Sequence, residues 1–365
     1  MHKICLVGGE DSHKRIELSQ YLIKAGFDVT ILGTGNQDFP DNIRYVKYHL
    51  NRALAPVDDY KTMQWYKNFF AENTFDLIHT FDTKPAFLLP LALKKTTTPI
   101  TRTITGVGKI FTHSGVIYFF LRRLYFILHK RCKQRVNNTV FQNTDDLKLF
   151  SDNNLVEKEK TCLILSSGIA LSQYTEKAKR DSEPFTFICV SRLVYTKGIT
   201  HLIEAARTCK QKGYKFKVLL VGPMEENSSK FNKKSLTDNT DVVAWLGQRN
   251  DVNKLLPKAH SFVLPTFGGE GLPRVLLEAA ATGLPIISTN VTGVKGFLKN
   301  EYDALLIEAK NTEALTHAMI RVYEDSALAQ KLVDNALKTV QLYSIERVAN
   351  QYITIFKAEM TTPKK

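Results

Sequence analysis

Apolar and polar residues alternate along the chain in the pattern of strands joined by helices. Short apolar runs predict buried strands, and the longer amphipathic segments between them predict helices. The predicted strands lie at 3–7, 28–32, 44–48, 76–81, 100–105, 138–142 and 161–166, and then at 185–190, 216–221, 242–246, 261–265, 285–289 and 304–307. This alternation predicts an α/β fold built from parallel sheets with helical crossovers.

The strand pattern is interrupted once, by the polar segment 172–184, which indicates a linker between two domains. A chain of 365 residues is long enough for two cores. We therefore expect an N-terminal domain over 1–172, a C-terminal domain over 185–343 and a C-terminal helix over 344–365 that returns to the first domain. The last helices, expected at 312–340 and 344–360, have no strand between them and would brace both domains. Ligands of such sheets bind beyond the carboxyl ends of the strands, so a cleft between the domains is the expected site.

Two carboxylates eight positions apart follow one strand of the second half. The run 261–265 leads through a Gly-Gly pair to Glu270, and a helix is predicted to begin there, with Pro273 in its first turn and its end at Gly283. Eight residues make about two helical turns, so Glu278 would lie on the same side as Glu270. A helix N-terminus attracts phosphate. Paired glutamates are commonly solvated surface residues, but the leucines and alanines around the second glutamate favour a buried site.

Further candidate residues lie where other strands of the second half end. Arg192 and Lys197 follow the strand at 185–190, and a planar guanidinium together with an ammonium suits a diphosphate. The alternative for these cations is a salt bridge to a neighbour. Gly222 and Arg249 belong to two later glycine turns, at which a ligand could approach the backbone closely.

The first half has its own glycine turn, Gly8-Gly9, between a strand and a helix, an arrangement suited to an anion. Neither the dinucleotide fingerprint nor the phosphate-loop lysine motif is present. Asp82 and Thr105 end other strands, and His113 is the nearest histidine, which could act as a base or simply be solvated. No Asp-x-Asp pair occurs, so no carboxylate-held divalent metal is expected.

The composition is that of a globular protein with 44% hydrophobic residues and a formal charge of +14. Five scattered cysteines without metal-ligand spacing, together with the absence of a secretory signal or a spanning apolar segment, predict a cytoplasmic protein. The charge calls for an anionic partner, which could be nucleic acid, a membrane or a substrate. Nucleic acid is not expected, because no nucleic-acid-binding motif is present.

The basic residues concentrate in the segment 116–135, where aromatic and aliphatic residues are interrupted by arginine and lysine. This pattern predicts a helix that could lie on an anionic membrane surface, at the inner face of the plasma membrane. An ordinary packing helix with a basic exposed face is the alternative.

Taken in order, these motifs resemble the retaining glycosyltransferases of family 4, which have the GT-B fold of two Rossmann-like domains facing a cleft. The resemblance extends over nearly the whole chain. The segments 75–85 and 103–108 are further similar to bacterial enzymes that extend polyprenyl-diphosphate-linked glycans of capsule, O-antigen or glycoproteins. The residues that carry the resemblance are Gly8-Gly9, Ser191-Arg-Leu with Lys197-Gly, Gly222, Leu246-Gly, Glu270, Glu278 and the Gly-Leu-Pro-Ile-Ile run at 283–287.

The resemblance implies a role for each matching residue. Arg192 and Lys197 would neutralise the diphosphate leaving group, and Glu270 would bind donor-sugar hydroxyls. Donor binding would further involve the Gly271 and Leu272 amides near the phosphates, Glu278 on the ribose, and Gly8, Gly9, Gly222 and Arg249. The candidates for the acceptor side, Asp82, Thr105 and His113, come from their positions in the first half of the chain and not from the resemblance. The chain has Thr105-Gly106 where many relatives have a histidine, so no acceptor-activating histidine can be assigned by resemblance.

The expected activity is transfer of a hexose or N-acetylhexosamine from a UDP-sugar to a polyprenyl-diphosphate-linked saccharide, with retention and without a cofactor or metal. Two alternatives remain at this point. A sugar-nucleotide epimerase or a phosphorylase could share the architecture, and a non-catalytic basic protein could bind membrane or nucleic acid.

Overall fold

The computed structural model describes residues 1–107, 109–112, 115–178, 183–224, 231–268 and 271–361. The chain divides into two compact units: unit 1 is Met1–Gly168 with the helix that begins at Ile345, and unit 2 is Ile169–Ser344. The polar segment that was expected to be a linker therefore belongs, where described, to unit 2. Its Ala178 N–H donates to the carbonyl of Thr282 at 3.0 Å, which holds the segment against that unit.

Unit 1 contains a seven-stranded sheet in which all paired strands are parallel, in the order β3-β2-β1-β4-β5-β6-β7. Its strands are β1 (His2–Val7), β2 (Phe27–Gly33), β3 (Arg44–Lys47), β4 (Leu77–Thr80), β5 (Ile100–Ile104), β6 (Asn138–Phe141) and β7 (Thr161–Leu163). Its first helices are α1 (Ile16–Lys24), α2 (Pro56–Glu72), α3 (Pro85–Ala92), α4 (Lys109–Thr112), α5 (Val116–Cys132) and α6 (Thr144–Asp152). Short 3-10 helices precede α1 at Glu10–Arg15 and follow α5 at Lys133–Arg135.

The basic segment 116–135 does form a helix, and its two faces differ sharply. Tyr125, His129 and Cys132 are buried against the unit. The opposite face exposes six large apolar side chains, those of Val116, Ile117, Phe119, Phe120, Leu124 and Ile127. No helix among the described residues is both long and apolar enough to cross a bilayer.

Arg102 on β5 attaches this helix to the sheet. Its side chain is fully buried, and its guanidinium donates to Thr139 Oγ1 and to the carbonyl of Ala86. Its Nη1 also lies 2.9 Å from His129 Nδ1 and 3.1 Å from Cys132 Sγ on α5. A buried cation is costly without hydrogen-bond acceptors, so these contacts fix the buried face of α5 on the sheet.

Unit 2 contains a six-stranded parallel sheet in the order β10-β9-β8-β11-β12-β13. Its strands are β8 (Thr186–Val190), β9 (Lys217–Val221), β10 (Ala244–Trp245), β11 (Ser261–Leu264), β12 (Ile286–Thr289) and β13 (Leu305–Ile307). Its helices are α7 (Ile199–Gln211), α8 (Lys233–Thr237), α9 (Val252–Leu255), α10 (Arg274–Thr282), α11 (Thr292–Lys295), α12 (Thr312–Glu324) and α13 (Ser326–Val340). The fold class expected from the sequence, two parallel Rossmann-like sheets, is confirmed.

Two helix boundaries differ from the sequence prediction. The helix expected over 312–340 is broken at Asp325, which has extended backbone angles and caps α13 by accepting the Leu328 N–H at 2.8 Å. The helix expected near Glu270 begins only at Arg274, because Pro273 has ψ 116° and is the residue before the first turn. It ends as predicted, at Gly283 with φ 79°.

The last helix, α14 (Ile345–Thr361), packs in unit 1 against α1. Its Tyr352 hydroxyl lies 2.9 Å from Thr103 Oγ1, which in turn lies 2.8 Å from His79 Nε2. The other imidazole nitrogen, Nδ1, is 2.7 Å from Thr101 Oγ1. Burial lowers the pKa of His79 well below its usual value of 6.5, so this network contains a neutral imidazole.

Candidate active site

The loop after β8 is held tightly against the end of β11. The carbonyl of Thr196 accepts hydrogen bonds from Phe267 N–H at 2.8 Å and from Thr266 Oγ1 at 3.3 Å. Gly198 has φ 72°, and a Cβ there would lie 2.1 Å from the carbonyl oxygen of Pro265. Only glycine allows this close contact without displacement. The loop that contains Lys197 thus lies beside the segment that leads to Glu270.

The two predicted cations on this loop are in different environments. Lys197 is the last residue of a one-turn 3-10 helix, Tyr195–Lys197, and its side chain is buried. Arg192 is exposed. Both have interactions within the protein. Burial strengthens the electrostatic effect of an ammonium group on a nearby anion, so Lys197 is the better placed of the two to stabilise developing charge.

Of the two predicted glutamates, Glu270 lies outside the described residues. Glu278 lies within α10, and its carboxylate is 3.4 Å from Arg274 Nε, a partner one turn earlier that the sequence argument missed. The spacing of four residues between Arg274 and Glu278, which brings two side chains together on a helix, could have predicted this pair. Gly271 and Leu272 precede the helix, so the argument that two helical turns separate the two glutamates is wrong.

The glycine turns after β9 and β10 meet the loop after β8. Gly222 has φ 140°, and a Cβ there would lie 1.9 Å from the carbonyl oxygen of Ser191. Its N–H donates to the carbonyl of Gly247 at 2.8 Å. The sheet of unit 2 thus brings the predicted turns together at one edge, although Arg249 itself is on the surface, where it donates to both carboxylate oxygens of Asp251 at 2.9 and 2.8 Å.

In unit 1 the Gly8-Gly9 turn is occupied by internal hydrogen bonds. The Gly8 N–H donates to the carbonyl of Leu32 at 2.9 Å, and the Gly9 N–H donates to Asp82 Oδ2 at 2.8 Å. The helical segment that follows begins with two acidic residues. Both amides of the turn are therefore paired within the protein, and a role of the turn in donor binding stays a prediction. The Asp82 carboxylate, predicted on the acceptor side, connects the end of β4 with the end of β1.

Of the remaining acceptor-side residues, Thr105 follows β5 and is half-buried. His113 lies outside the described residues. Sequence reasoning missed an open cavity of about 660 Å³ where β1, β2 and β3 end, lined among others by Tyr48, His49 and Trp65. The Tyr-His pair directly after β3 was a weak signal for this cavity, since Trp65 is supplied by a separate helix.

Metal ligands are not clustered in the part of the chain that the structure describes: no group of three or more His, Cys, Asp or Glu side chains there could hold an ion. The groups found at the carboxyl edges of the two sheets are cations, carboxylates, hydroxyls and backbone amides and carbonyls. Such an arrangement can bind an anionic, hydroxyl-bearing molecule by charge and hydrogen bonds.

Comparisons with known proteins connect both units to one family. The model of group 1 glycosyl transferases matches residues 172–339, and the model of 4-like glycosyl transferases matches residues 3–143. Together the two matches include the candidate site of unit 2 and the Gly8-Gly9 turn of unit 1.

Two relatives are glycosyltransferases. One, from Campylobacter jejuni, is N,N'-diacetylbacillosaminyl-diphospho-undecaprenol alpha-1,3-N-acetylgalactosaminyltransferase, 28% identical over 69% of this chain and 69% of the relative. Another, from Escherichia coli, is UDP-Gal:alpha-D-GlcNAc-diphosphoundecaprenol alpha-1,3-galactosyltransferase, 26% identical over 86% of this chain and 85% of the relative. These relatives give no support to an epimerase, a phosphorylase or a non-catalytic binding protein.

A solved structure shows the same fold over the full length. It is the sucrose-phosphate synthase of Thermosynechococcus elongatus, with a TM-score of 0.82, 19% identity and coverage of 100% of both chains. The parallel sheets, the two family models and the relatives agree. The chain belongs to the group 1, family-4-like glycosyltransferases with the GT-B fold, and it is a glycosyltransferase.

Proposed function

We propose that this enzyme transfers a hexose or an N-acetylhexosamine from a UDP-sugar to a polyprenyl-diphosphate-linked saccharide, with retention of anomeric configuration and without a metal ion. The acceptor class is supported by the Campylobacter jejuni and Escherichia coli relatives, both of which are named for undecaprenyl-diphosphate-linked acceptors. The product would be an intermediate of a surface polysaccharide or another glycan.

The observation on which the proposal chiefly depends is the buried Lys197 in a loop bonded to Thr266 and Phe267. Those residues lead directly to Glu270 in the sequence. By resemblance to the family, Glu270 would bind donor-sugar hydroxyls, so the loop contact supports a role for Lys197 close to the donor's reacting end. In the same scheme the exposed Arg192 contributes a second cation. Glu278, with its partner Arg274, would bind the ribose from α10, the helix that follows the neighbouring strand β11.

The reaction breaks the bond between the anomeric carbon and the UDP oxygen and forms a bond from that carbon to an acceptor hydroxyl oxygen on the same face. Negative charge develops on the departing diphosphate, where Lys197 and Arg192 stabilise it. The hydroxyl proton passes to a phosphate oxygen of the leaving UDP, so the chain need not supply a base. Two cations take the place of a divalent ion in this scheme, and catalysis depends on positioning and charge.

A direct test uses the purified enzyme with UDP-, GDP- and ADP-sugars and N-acetylglucosaminyl-diphospho-undecaprenol as the acceptor probe. We expect transfer from a UDP-sugar, an unchanged rate in EDTA, and a product whose anomeric coupling in the proton NMR spectrum matches that of the donor. An inverted product would contradict retention, and loss of activity in EDTA would contradict metal independence. Absence of transfer with every UDP-sugar would exclude the proposed activity for this acceptor.

The same proposal places the enzyme on an anionic membrane, at the inner face of the plasma membrane, through α5 and not on nucleic acid. The helix, about 25 Å long, exposes six large apolar side chains, and the segment 116–135 contains no acidic residue. Arg123, Lys130 and Arg131 are exposed on the same side of the helix. Exposed apolar side chains interspersed with cations suit the boundary between acyl chains and anionic headgroups. A lipid-linked acceptor would be reached from this position.

Vesicle co-sedimentation tests the membrane part. Replacing both Ile117 and Phe120 by aspartate should weaken binding to phosphatidylglycerol-containing vesicles by about tenfold or more, because burial of each exposed apolar side chain contributes on the order of 1–2 kcal/mol. Leu342→Asp is the matched control, since this leucine is also exposed but lies in unit 2. Equal loss in the control, or salt-sensitive binding to nucleic acid with none to vesicles, would contradict the assignment.

A further inference from the structure

The open cavity of unit 1 lies at the carboxyl ends of three neighbouring strands. Its lining includes Glu10 after β1, Thr34 after β2, and His49 with Tyr48 after β3. In open α/β sheets this edge is where ligands bind. The volume, about 660 Å³, falls within the range of roughly 300–1,000 Å³ found for small-molecule sites.

The floor of the cavity is bonded to the Gly8-Gly9 turn. The Tyr48 hydroxyl donates to the carbonyl of Gly8 at 2.8 Å, and the backbone N–H of Tyr48 donates to the carbonyl of Gly33 at 2.9 Å. Leu50, which also lines the cavity, has its Cδ2 4.0 Å from the position that a Cβ on Gly9 would take. A molecule in the cavity would therefore lie directly beside this turn.

One wall of the cavity is a fixed aromatic stack. Trp65 stacks on Tyr48 with ring centroids 5.3 Å apart and on Phe69 with centroids 5.0 Å apart. The Tyr66 hydroxyl donates to the Tyr48 hydroxyl at 2.9 Å, in the interior. Because these rings are locked before any ligand arrives, little side-chain entropy would be lost on binding.

The rim of the cavity is polar. Lys47 and His49 are exposed, and the Glu10 carboxylate accepts from Arg52 Nη1 at 2.6 Å. An aromatic wall beside charged and hydrogen-bonding groups matches a sugar ring, which combines apolar C–H faces with equatorial hydroxyls. A polyprenyl tail would be mismatched, because the side chains of Lys47 and Glu10 would face it without hydrogen-bond partners from the lipid.

We propose that this cavity binds the saccharide of the acceptor, with Trp65 and His49 as specificity-determining residues. The inference rests on the proposed function, since it takes the acceptor to be a saccharide. It differs from the sequence expectation, which placed the acceptor near Asp82, Thr105 and His113. In the strand order β3-β2-β1-β4-β5, the cavity lies on the β3 side of the Gly8-Gly9 turn, whereas Thr105 follows β5 on the other side.

Steady-state kinetics with N-acetylglucosaminyl-diphospho-undecaprenol and a UDP-sugar test the inference. Trp65→Ala should raise the acceptor KM by about tenfold, and His49→Ala by about threefold, with the UDP-sugar KM and the slow hydrolysis of the donor unchanged. Trp65→Phe retains a stacked ring and should fall between Trp65→Ala and the wild type. Tyr60→Ala is the matched control, because Tyr60 is an exposed aromatic residue on the same helix that does not line the cavity.

The outcomes separate the two proposals. If the wild type transfers no sugar to the probe, the proposed function fails for this acceptor. If the wild type is active and both His49→Ala and Trp65→Phe keep the acceptor KM of the Tyr60→Ala control, the cavity is not the acceptor site. His49 is exposed, so its substitution should leave the fold intact, and protection of each variant against heat by UDP checks this independently. A rise in the UDP-sugar KM alone would also overturn the inference, since it would make the cavity part of the donor site.

Discussion

The glycine turns at the carboxyl edges of the two sheets look alike in sequence but differ in what surrounds them. In unit 2, Gly198 and Gly222 have φ values of 72° and 140°, and a Cβ on either would lie about 2 Å from a backbone carbonyl oxygen. In unit 1, Gly9 has φ −96°, and a Cβ on Gly8 or Gly9 would meet the Asp82 carboxylate at ordinary contact distances of 3.4 and 3.6 Å. The protein's own packing requires glycine at Gly198 and Gly222 of unit 2, whereas at Gly8 and Gly9 of unit 1 it leaves room for a Cβ.

The largest effect is expected when the packing of unit 2 is broken. Gly222→Ala places a methyl group 1.9 Å from the carbonyl oxygen of Ser191 and forces a positive φ on alanine. Strain and overpacking together should lower the free energy of unfolding by about 2–5 kcal/mol. Urea denaturation would measure this loss. The counterpart from unit 1 is Gly9→Ala, which should change the free energy of unfolding by less than about 1 kcal/mol. Equal losses in the two variants would remove the distinction between the two turns.

The next effect concerns the cations at the edge of unit 2. Lys197→Met should lower kcat/KM by about a hundredfold, because removal of one charge-stabilising donor from a buried site typically costs that much or more. Arg249→Gln is the control: Arg249 is on the surface and paired with Asp251, so its loss should change kcat/KM by less than about threefold. A result in the reverse order would place the donor phosphates near Arg249 and away from the buried lysine.

A smaller effect on activity should follow when a methyl group is added at the Gly8-Gly9 turn of unit 1. Gly9→Ala is expected to lower kcat/KM by about tenfold at nearly unchanged stability, if a substrate approaches the backbone there as the family resemblance implies. Gly26→Ala serves as the comparison within unit 1, because nothing lies within 4 Å of a Cβ at that position, and its positive φ affects stability alone. Full activity of the Gly9→Ala enzyme would show that no ligand requires this glycine.

The last expected effect is a pH dependence of stability that originates in unit 1. Burial lowers the pKa of both His79 and His129 well below 6.5, so below about pH 6.5 the unfolded chain binds protons that the folded chain does not. Stability should be full above that pH and fall as the pH decreases, by about 1.4 kcal/mol per pH unit for each histidine. Urea denaturation at neutral and mildly acidic pH would measure the slope. His79→Gln should remove about half of it, and His317→Gln, an exposed position in unit 2, should leave it unchanged.

The central strands were predictable because runs such as those of β8, β11 and β12 are buried along their whole length in a parallel sheet. The predicted run 261–265 became β11 (Ser261–Leu264), and Gly283 ended α10 as expected from its tolerance of positive φ. The break at Asp325 was available from the sequence, since aspartate before Ser-Ala-Leu is a good helix cap, but the apolar period continues through it and favoured one long helix.

The sites were less predictable, because they depend on residues that are far apart in the chain. Trp65 and His49 come together only when α2 packs beside the end of β3. The Asp82 carboxylate reaches the Gly9 N–H across 73 positions of sequence, so its structural role could not be separated from a role on the acceptor side. The pairing of Glu278 with Arg274 was the exception, since it follows from helical spacing once the start of α10 is known.

The enclosed guanidinium of Arg102 has a mechanical consequence for the membrane contact proposed for α5. His129 and Cys132 of that helix are two of its partners, so rolling or detaching the helix would take both away from a charge that stays in the interior. On a bilayer, α5 would therefore carry the strands of unit 1 with it as one stiff body, and a change in the tilt of the helix would turn the sheet as well.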